Sequence, residues 1–280
     1  MNRGLRFVFD SARLAELSEK YRSQYAAAKP FPHVVIDDFL PEDVLHDVIA
    51  EFPQPRQVDW INFNNSAEKK LATKAEAQMG NLTRFLLYQF NSSVFISFLE
   101  NLSGITGLIP DPHFWGGGLH QIEPGGFLKI HADFTRHPIL PLDRRINLLL
   151  YLNEDWQASY GGQLELWDTG MNRCEVRVLP LFNRCVIFNT TAYSFHGHPD
   201  PVTCPPDRTR KSIALYYFSN GRPEEEHPID HGTLFVQRPG EQYKAPRPGR
   251  LSRPQAAKQI VKRLLPPLLV DALKHLKSKR

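Results

Sequence analysis

Between His113 and Asn220 the chain offers seven or eight short strand candidates at close intervals, punctuated by Gly116-Gly117-Gly118, Gly125-Gly126, Gly161-Gly162 and the proline-rich stretch 199–206. Strands this short, divided by glycine and proline turns, suit a double-stranded β-helix, or jelly roll, in a mainly β protein with some α. Such a barrel places a site inside one open end. Upstream, residues 11–28 read as a polar helix with Leu14 and Leu17 on its apolar stripe and Ser11 as its cap. Val34-Val35-Ile36 reads as a strand. Leu45, Val48, Ile49 and Phe52 recur at helical spacing behind Pro41, and Phe85, Leu86, Phe90, Phe95 and Leu99 do so in a second amphipathic segment over 82–104. The polar loop 62–81 reads as a surface excursion or a mobile lid. The layout expected is a strand and helix support over 1–110, a jelly-roll core over 111–223 and a basic extension over 224–280. With 280 residues, 41% of them hydrophobic and 11% aromatic, one large β-rich domain with appendages can be filled.

The residues that carry chemistry lie on these strands. Gly125-Gly126 turns into Phe127-Leu128-Lys129-Ile130-His131-Ala132-Asp133. Side chains alternate along a strand, so His131 and Asp133 project to one side, about 7 Å apart at the backbone, and can reach one ion. A third ligand must come from elsewhere. After the apolar run Cys185-Val186-Ile187-Phe188, both His196 and His198 qualify, and spacing alone does not separate them. His196 is favoured because Gly197, Pro199 and Pro201 mark the end of the strand. Two histidines and a carboxylate form a facial triad that suits Fe(II) and leaves the opposite side open. Downstream, Arg210, Ser212, Ala214 and Tyr216 share one strand face, and Lys211, Ile213, Leu215 and Tyr217 the other. A cation on an interior face is costly without an anion, and Arg is suited to grip a carboxylate with two parallel hydrogen bonds.

The order His131-x-Asp133, then His196, then Arg210 resembles the Fe(II)/2-oxoglutarate-dependent dioxygenases, in their prolyl 4-hydroxylase-like branch. Three further stretches share the likeness. They are "RRINLLLYLNEDWQASYGGQLELWD", "SIALYYFSNGRP" and the lead-in strand and helix at residues 30–53, so it spans about residues 30–223. The resemblance implies iron on His131, Asp133 and His196, and Arg210 paired with the distal carboxylate of 2-oxoglutarate. Tyr151 would give its hydroxyl to that carboxylate, with Leu164 and Tyr216 along its apolar flank. It further implies O2 as cosubstrate, ascorbate (vitamin C) as reductant, and hydroxylation of a prolyl or other amino-acid or small-molecule C–H bond with release of succinate and CO2. Glu123 and Ala214 stand where relatives often carry a tyrosine and a hydroxyl residue, and Pro201-Val202 lies one place further from His196 than usual, which keeps His198 as the alternative ligand. The competing function class is a jelly-roll module that binds a metal or ligand without oxidising it.

Cys174, Cys185 and Cys204 are an odd count with no framework spacing, which points to reduced thiols. With no signal-like or long apolar stretch, the expected location is cytoplasmic. The net charge of +4 belongs to the end of the chain, since residues 244–280 hold eleven Lys or Arg against Asp271 alone and the remainder is acidic. That tail reads as two short amphipathic helices broken at Pro266-Pro267, with Ile260, Leu264, Leu265, Leu268, Leu269, Leu273 and Leu276 as apolar positions. It suits packing on the domain, or contact with an anionic membrane surface or an acidic partner. Nucleic acid is disfavoured, because the tail has no aromatic residue to stack on bases.

Overall fold

The structure is a computed structural model describing residues 6–223, 226 and 231–246. Four helices precede most of the sheet: α1 (Ser11–Ala27), α2 (Glu42–Ala50), α3 (Asn81–Phe90) and α4 (Ser93–Ser103). The expected segment over 82–104 is thus two helices. Ser92 separates them because its side chain accepts a hydrogen bond from the Phe95 backbone N–H, capping a new helix, and Gly104 at φ 75° closes it. The first helix is capped by Asp10, whose carboxylate accepts from Arg13 N, rather than by Ser11.

The strands are β1 (His33–Ile36), β2 (Ile61–Asn64), β3 (Glu68–Ala72), β4 (Ile109–Pro110), β5 (Gly118–Ile122), β6 (Phe127–Ala132), β7 (Asp143–Tyr151), β8 (Leu164–Trp167), β9 (Cys174–Val178), β10 (Cys185–Asn189), β11 (His196–His198), β12 (Arg210–Ser219) and β13 (Leu234–Phe235). They form a nearly closed antiparallel barrel of jelly-roll type, ten of them in the order β1-β10-β7-β12-β5-β3-β6-β11-β8-β9, with β2 paired to β3, β4 to β12 and β13 to β6. The eight strands β5 to β12 occupy the region read as a jelly roll.

The stretch 62–81 is no lid. Its β2–β3 hairpin is built into the sheet, with β3 pairing β5 through Leu71 and Ala72 and β6 through Glu68 and Lys69. Alternation was too short there to be read, yet Leu71, Ala72 and Met79 are all buried.

Two apolar layers follow from strand alternation. Ile146, Leu148 and Leu150 of β7 and Ile213, Leu215 and Tyr217 of β12 face the helices, where they join Leu14, Leu45, Leu86, Phe90, Phe95 and Phe98 in the main core. Each such fully buried side chain contributes ~2 kcal/mol. On the barrel's inner side, Tyr151, Leu164, Leu166, Val178, Val186 and Phe188 form a second cluster.

A strap over residues 231–246 returns to the barrel. Its β13 sets Leu234 opposite Ala132 and Phe235 opposite His131. Val236 packs on Ile130, Ala132, Trp167 and Phe195. Glu241 pairs with Lys129 at 2.6 Å and Arg238 with Asp200 at 2.7 Å. Most of the tail read as amphipathic helices lies outside the described residues. No helix among the described residues is long and apolar enough to cross a membrane.

Candidate active site

Antiparallel pairing of β11 with β6 places His196 directly opposite His131, with ring centroids 4.4 Å apart. Asp133, one residue past β6, points the same way. The ligating atoms of His131, Asp133 and His196 lie within 4.8 Å of one another, all three residues are buried, and no other such group occurs among the described residues. His198 is not part of this group.

Both rings are fixed in the orientation a metal needs. His131 Nδ1 donates to the Lys129 carbonyl at 2.9 Å, and His196 Nδ1 donates to the Ser194 carbonyl at 2.8 Å. With the proton on Nδ1, each Nε2 lone pair is bare and turned to the centre, 3.5 Å (His131) and 3.4 Å (His196) from Asp133 oxygens. Burial, with the neighbouring His131, pushes the His196 pKa down to about 4, so the ring is neutral near pH 7.

Asp133 is clasped from β7. Arg144 donates to its Oδ2 at 2.9 Å and Asn147 Nδ2 to the same oxygen at 2.6 Å, while Asn147 Oδ1 accepts from Arg144. Burial alone would raise the carboxyl's pKa, but the Arg144 guanidinium, with the imidazoles beside it, holds it well below the usual carboxylate range. Arg144 is itself fully buried, with its guanidinium 3.5 Å from the Tyr216 ring centroid and 4.3 Å from that of Phe134, whose ring stands perpendicular to Tyr216. Sequence reasoning missed both Arg144 and Asn147. Simple alternation puts Arg144 in phase with Ile146 and Leu148, facing the helices. A bulge at Arg145, opposite the Tyr217/Phe218 step of β12, reverses the phase and turns Arg144 inward beside Asn147.

Arg210 opens β12 inside the barrel and is 4% exposed. Its Nε donates to the Gly162 carbonyl at 2.8 Å and its Nη2 to the Tyr151 hydroxyl at 3.4 Å. It has no carboxylate partner among the described residues. Burial lowers its pKa and raises that of Tyr151. Gly162, at φ +68°, is required here, since a Cβ would lie 2.9 Å from Arg210 Cδ. Leu164 lies close by, packed with Tyr151. Tyr216 is held apart from this pair, on Arg144, with its hydroxyl donating to the Gly116 carbonyl at 2.9 Å.

The residues present therefore fit two groups: a divalent metal with N, N, O ligands, and an organic anion that would neutralise the buried guanidinium. Phe188 and Phe235 wall the metal site, their rings 4.8 Å from His196 and 5.5 Å from His131.

Comparison with known proteins agrees with this chemistry. Residues 117–218 match the model of the 2OG-Fe(II) oxygenase superfamily. A curated relative, the prolyl 3-hydroxylase OGFOD1 of Mus musculus, is 25% identical over 225 residues, covering 74% of this chain. The match spans 38% of that relative's length. Among solved structures, a prolyl hydroxylase from Trichoplax adhaerens, in complex with a hypoxia inducible factor peptide fragment, shares the fold with TM-score 0.51 and 19% identity. It covers 74% of this chain and 91% of that one. A Pseudomonas putida prolyl-4-hydroxylase does so with TM-score 0.50 and 17% identity, over 74% and 98%.

Proposed function

From the match of residues 117–218 to the model of the 2OG-Fe(II) oxygenase superfamily, we propose that this protein is an Fe(II)- and 2-oxoglutarate-dependent hydroxylase acting on a prolyl residue. One observation carries the reading: the His131, Asp133, His196 group faces the same barrel interior as Arg210, a buried cation with no anion to pair with among the described residues. His131 Nε2, His196 Nε2 and Asp133 would hold the metal, and Arg210 with Tyr151 would hold the distal carboxylate of 2-oxoglutarate. When bound, iron and 2-oxoglutarate together supply the oxidation that puts one oxygen atom of O2 on a substrate C–H bond and the other into succinate, with loss of CO2.

The chain's own residues do the rest. Arg144 and Asn147 keep Asp133 ionised and fix its rotation. The carbonyls of Lys129 and Ser194 fix the histidine tautomers. Tyr151, Leu164, Leu166 and Phe188 line an apolar interior that keeps water from the reacting centre. A polypeptide as the carrier of the prolyl residue is supported by the name of the mouse relative and by the peptide held in the Trichoplax structure. Ascorbate as reductant and a cytoplasmic setting complete the reading, the latter supported by Cys174, Cys185 and Cys204 all being free thiols.

The test is an anaerobic titration with Fe(II) and 2-oxoglutarate, followed by the visible charge-transfer absorption of the chelate. A band that requires His131 and His196, weakens in Arg210→Ala and bleaches in air with succinate release is expected. Its absence in folded wild type overturns the reading and leaves a metal- or ligand-binding module.

A further inference from the structure

His198 is 4% exposed, and neither of its ring nitrogens has a hydrogen-bond partner among the described residues. A neutral imidazole carries one N–H and one lone pair, so this ring is a buried donor and acceptor with nothing to satisfy it. Its position follows from the sheet. β11 sets His196 opposite Leu166 and Gly197 opposite Glu165 of β8. β11 thus runs toward the Leu164 end of β8, two residues before which the Gly162 carbonyl accepts from Arg210, and on its other side a register shift sets His198 opposite Leu128 of β6. The cations whose charge bears on the ring are Arg210 and Lys70. Lys70 already has Glu68 at 3.3 Å, which leaves Arg210 as the one lacking an anion among the described residues. On β12, Ala214 supplies no hydroxyl to this interior.

We propose that His198 is a second binding residue for the distal carboxylate of the cosubstrate, donating a ring N–H to it beside the Arg210 guanidinium. The inference rests on the hydroxylase reading and deepens it. One carboxylate answers both an unpaired buried cation and an unpartnered buried donor. His198 thus has a task distinct from that of His196, two residues earlier.

The test uses the full chain with Fe(II) under anaerobic conditions and two ligands, 2-oxoglutarate and 2-oxopentanoate, which has a methyl group where the distal carboxylate would be. Dissociation constants are read from the chelate absorption. His198→Leu is expected to weaken 2-oxoglutarate about tenfold to a hundredfold and 2-oxopentanoate by less than about twofold, with His198→Gln between leucine and wild type. The ligand-free leucine variant should melt no lower than wild type, since it removes an unsatisfied polar ring. Equal 2-oxoglutarate affinity in His198→Leu overturns the proposal, as does equal weakening of both ligands, which would place the effect at the metal. If the apolar variant does not fold, the ratio of the two constants in His198→Gln decides: a ratio unchanged from wild type overturns the proposal, and a lowered preference for 2-oxoglutarate supports it. Failure of wild type itself to bind 2-oxoglutarate overturns the hydroxylase reading and this proposal together, whereas a defect confined to the distal-carboxylate preference cannot arise that way.

Discussion

At the scale of single residues, the candidate metal site depends on hydrogen bonds behind His131, Asp133 and His196. Asp133 receives two hydrogen bonds on Oδ2, from Arg144 and Asn147, which turns Oδ1 toward His131 Nε2, 3.5 Å away, where a metal would be held. Arg144→Lys keeps the charge but loses the planar fork that reaches both Asp133 and Asn147. It should lower metal affinity by about 10- to 100-fold in calorimetric titration with Mn(II), with the fold retained. A near-normal affinity would show that Asn147 alone orients the carboxylate. His196 gives a second residue-scale expectation for the metal-free protein. Its folded pKa is about 4, against an ordinary value of 6.5. As pH falls below 6.5 the unfolded chain takes up a proton that the buried ring refuses, so stability declines from about pH 6.5 to about pH 4, by about 3 kcal/mol at most from this group. Denaturant titrations across that range, with His196→Leu as reference, measure it. A wild type whose stability falls no more than that of the variant would refute it.

At the scale of elements, the approach of β11 to β6 sets the distance between the histidines. Gly197 permits it, because a Cβ there would meet the Leu128 and Lys129 carbonyl oxygens at 2.7 and 2.8 Å. Gly197→Ala should force the strands apart and weaken metal binding more than it lowers stability, which parallel metal titrations and thermal melts would resolve. Ser92 is the corresponding point between α3 and α4. Losing its cap by Ser92→Ala should cost about 1 kcal/mol, read as a lowered denaturation midpoint. The strands and ligand order were legible in the sequence because period-two alternation and glycine turns report local geometry. The β3 insertion was not legible, since a five-residue strand with Lys69 and Lys70 looks like a loop until its neighbours β5 and β6 are known. Nor was the inward turn of Arg144, which depends on a single bulged residue.

At the scale of the whole molecule, the helices cover one face of the barrel and the strap 231–246 covers part of another. Val236 lies among Ile130, Ala132, Trp167 and Phe195, of which Ile130 and Ala132 flank His131 and Phe195 precedes His196. Val236→Asp buries a charge against this cluster and should destabilise the protein by more than about 2 kcal/mol, as measured by chemical denaturation. An unchanged midpoint would mean that the strap adds nothing to the fold. The amino-acid sequence by itself determined the jelly-roll strands, the His131, Asp133 and Arg210 positions, and the pairing of chemistry between them, because each rests on contacts within a strand or on residue type. Tertiary structure alone brought His196 rather than His198 into the group with His131 and Asp133, recruited Arg144 and Asn147 to Asp133, and left Arg210 without an anion among the described residues. Those outcomes depend on register across strands far apart in the chain, where a one-residue bulge reverses which face a side chain occupies.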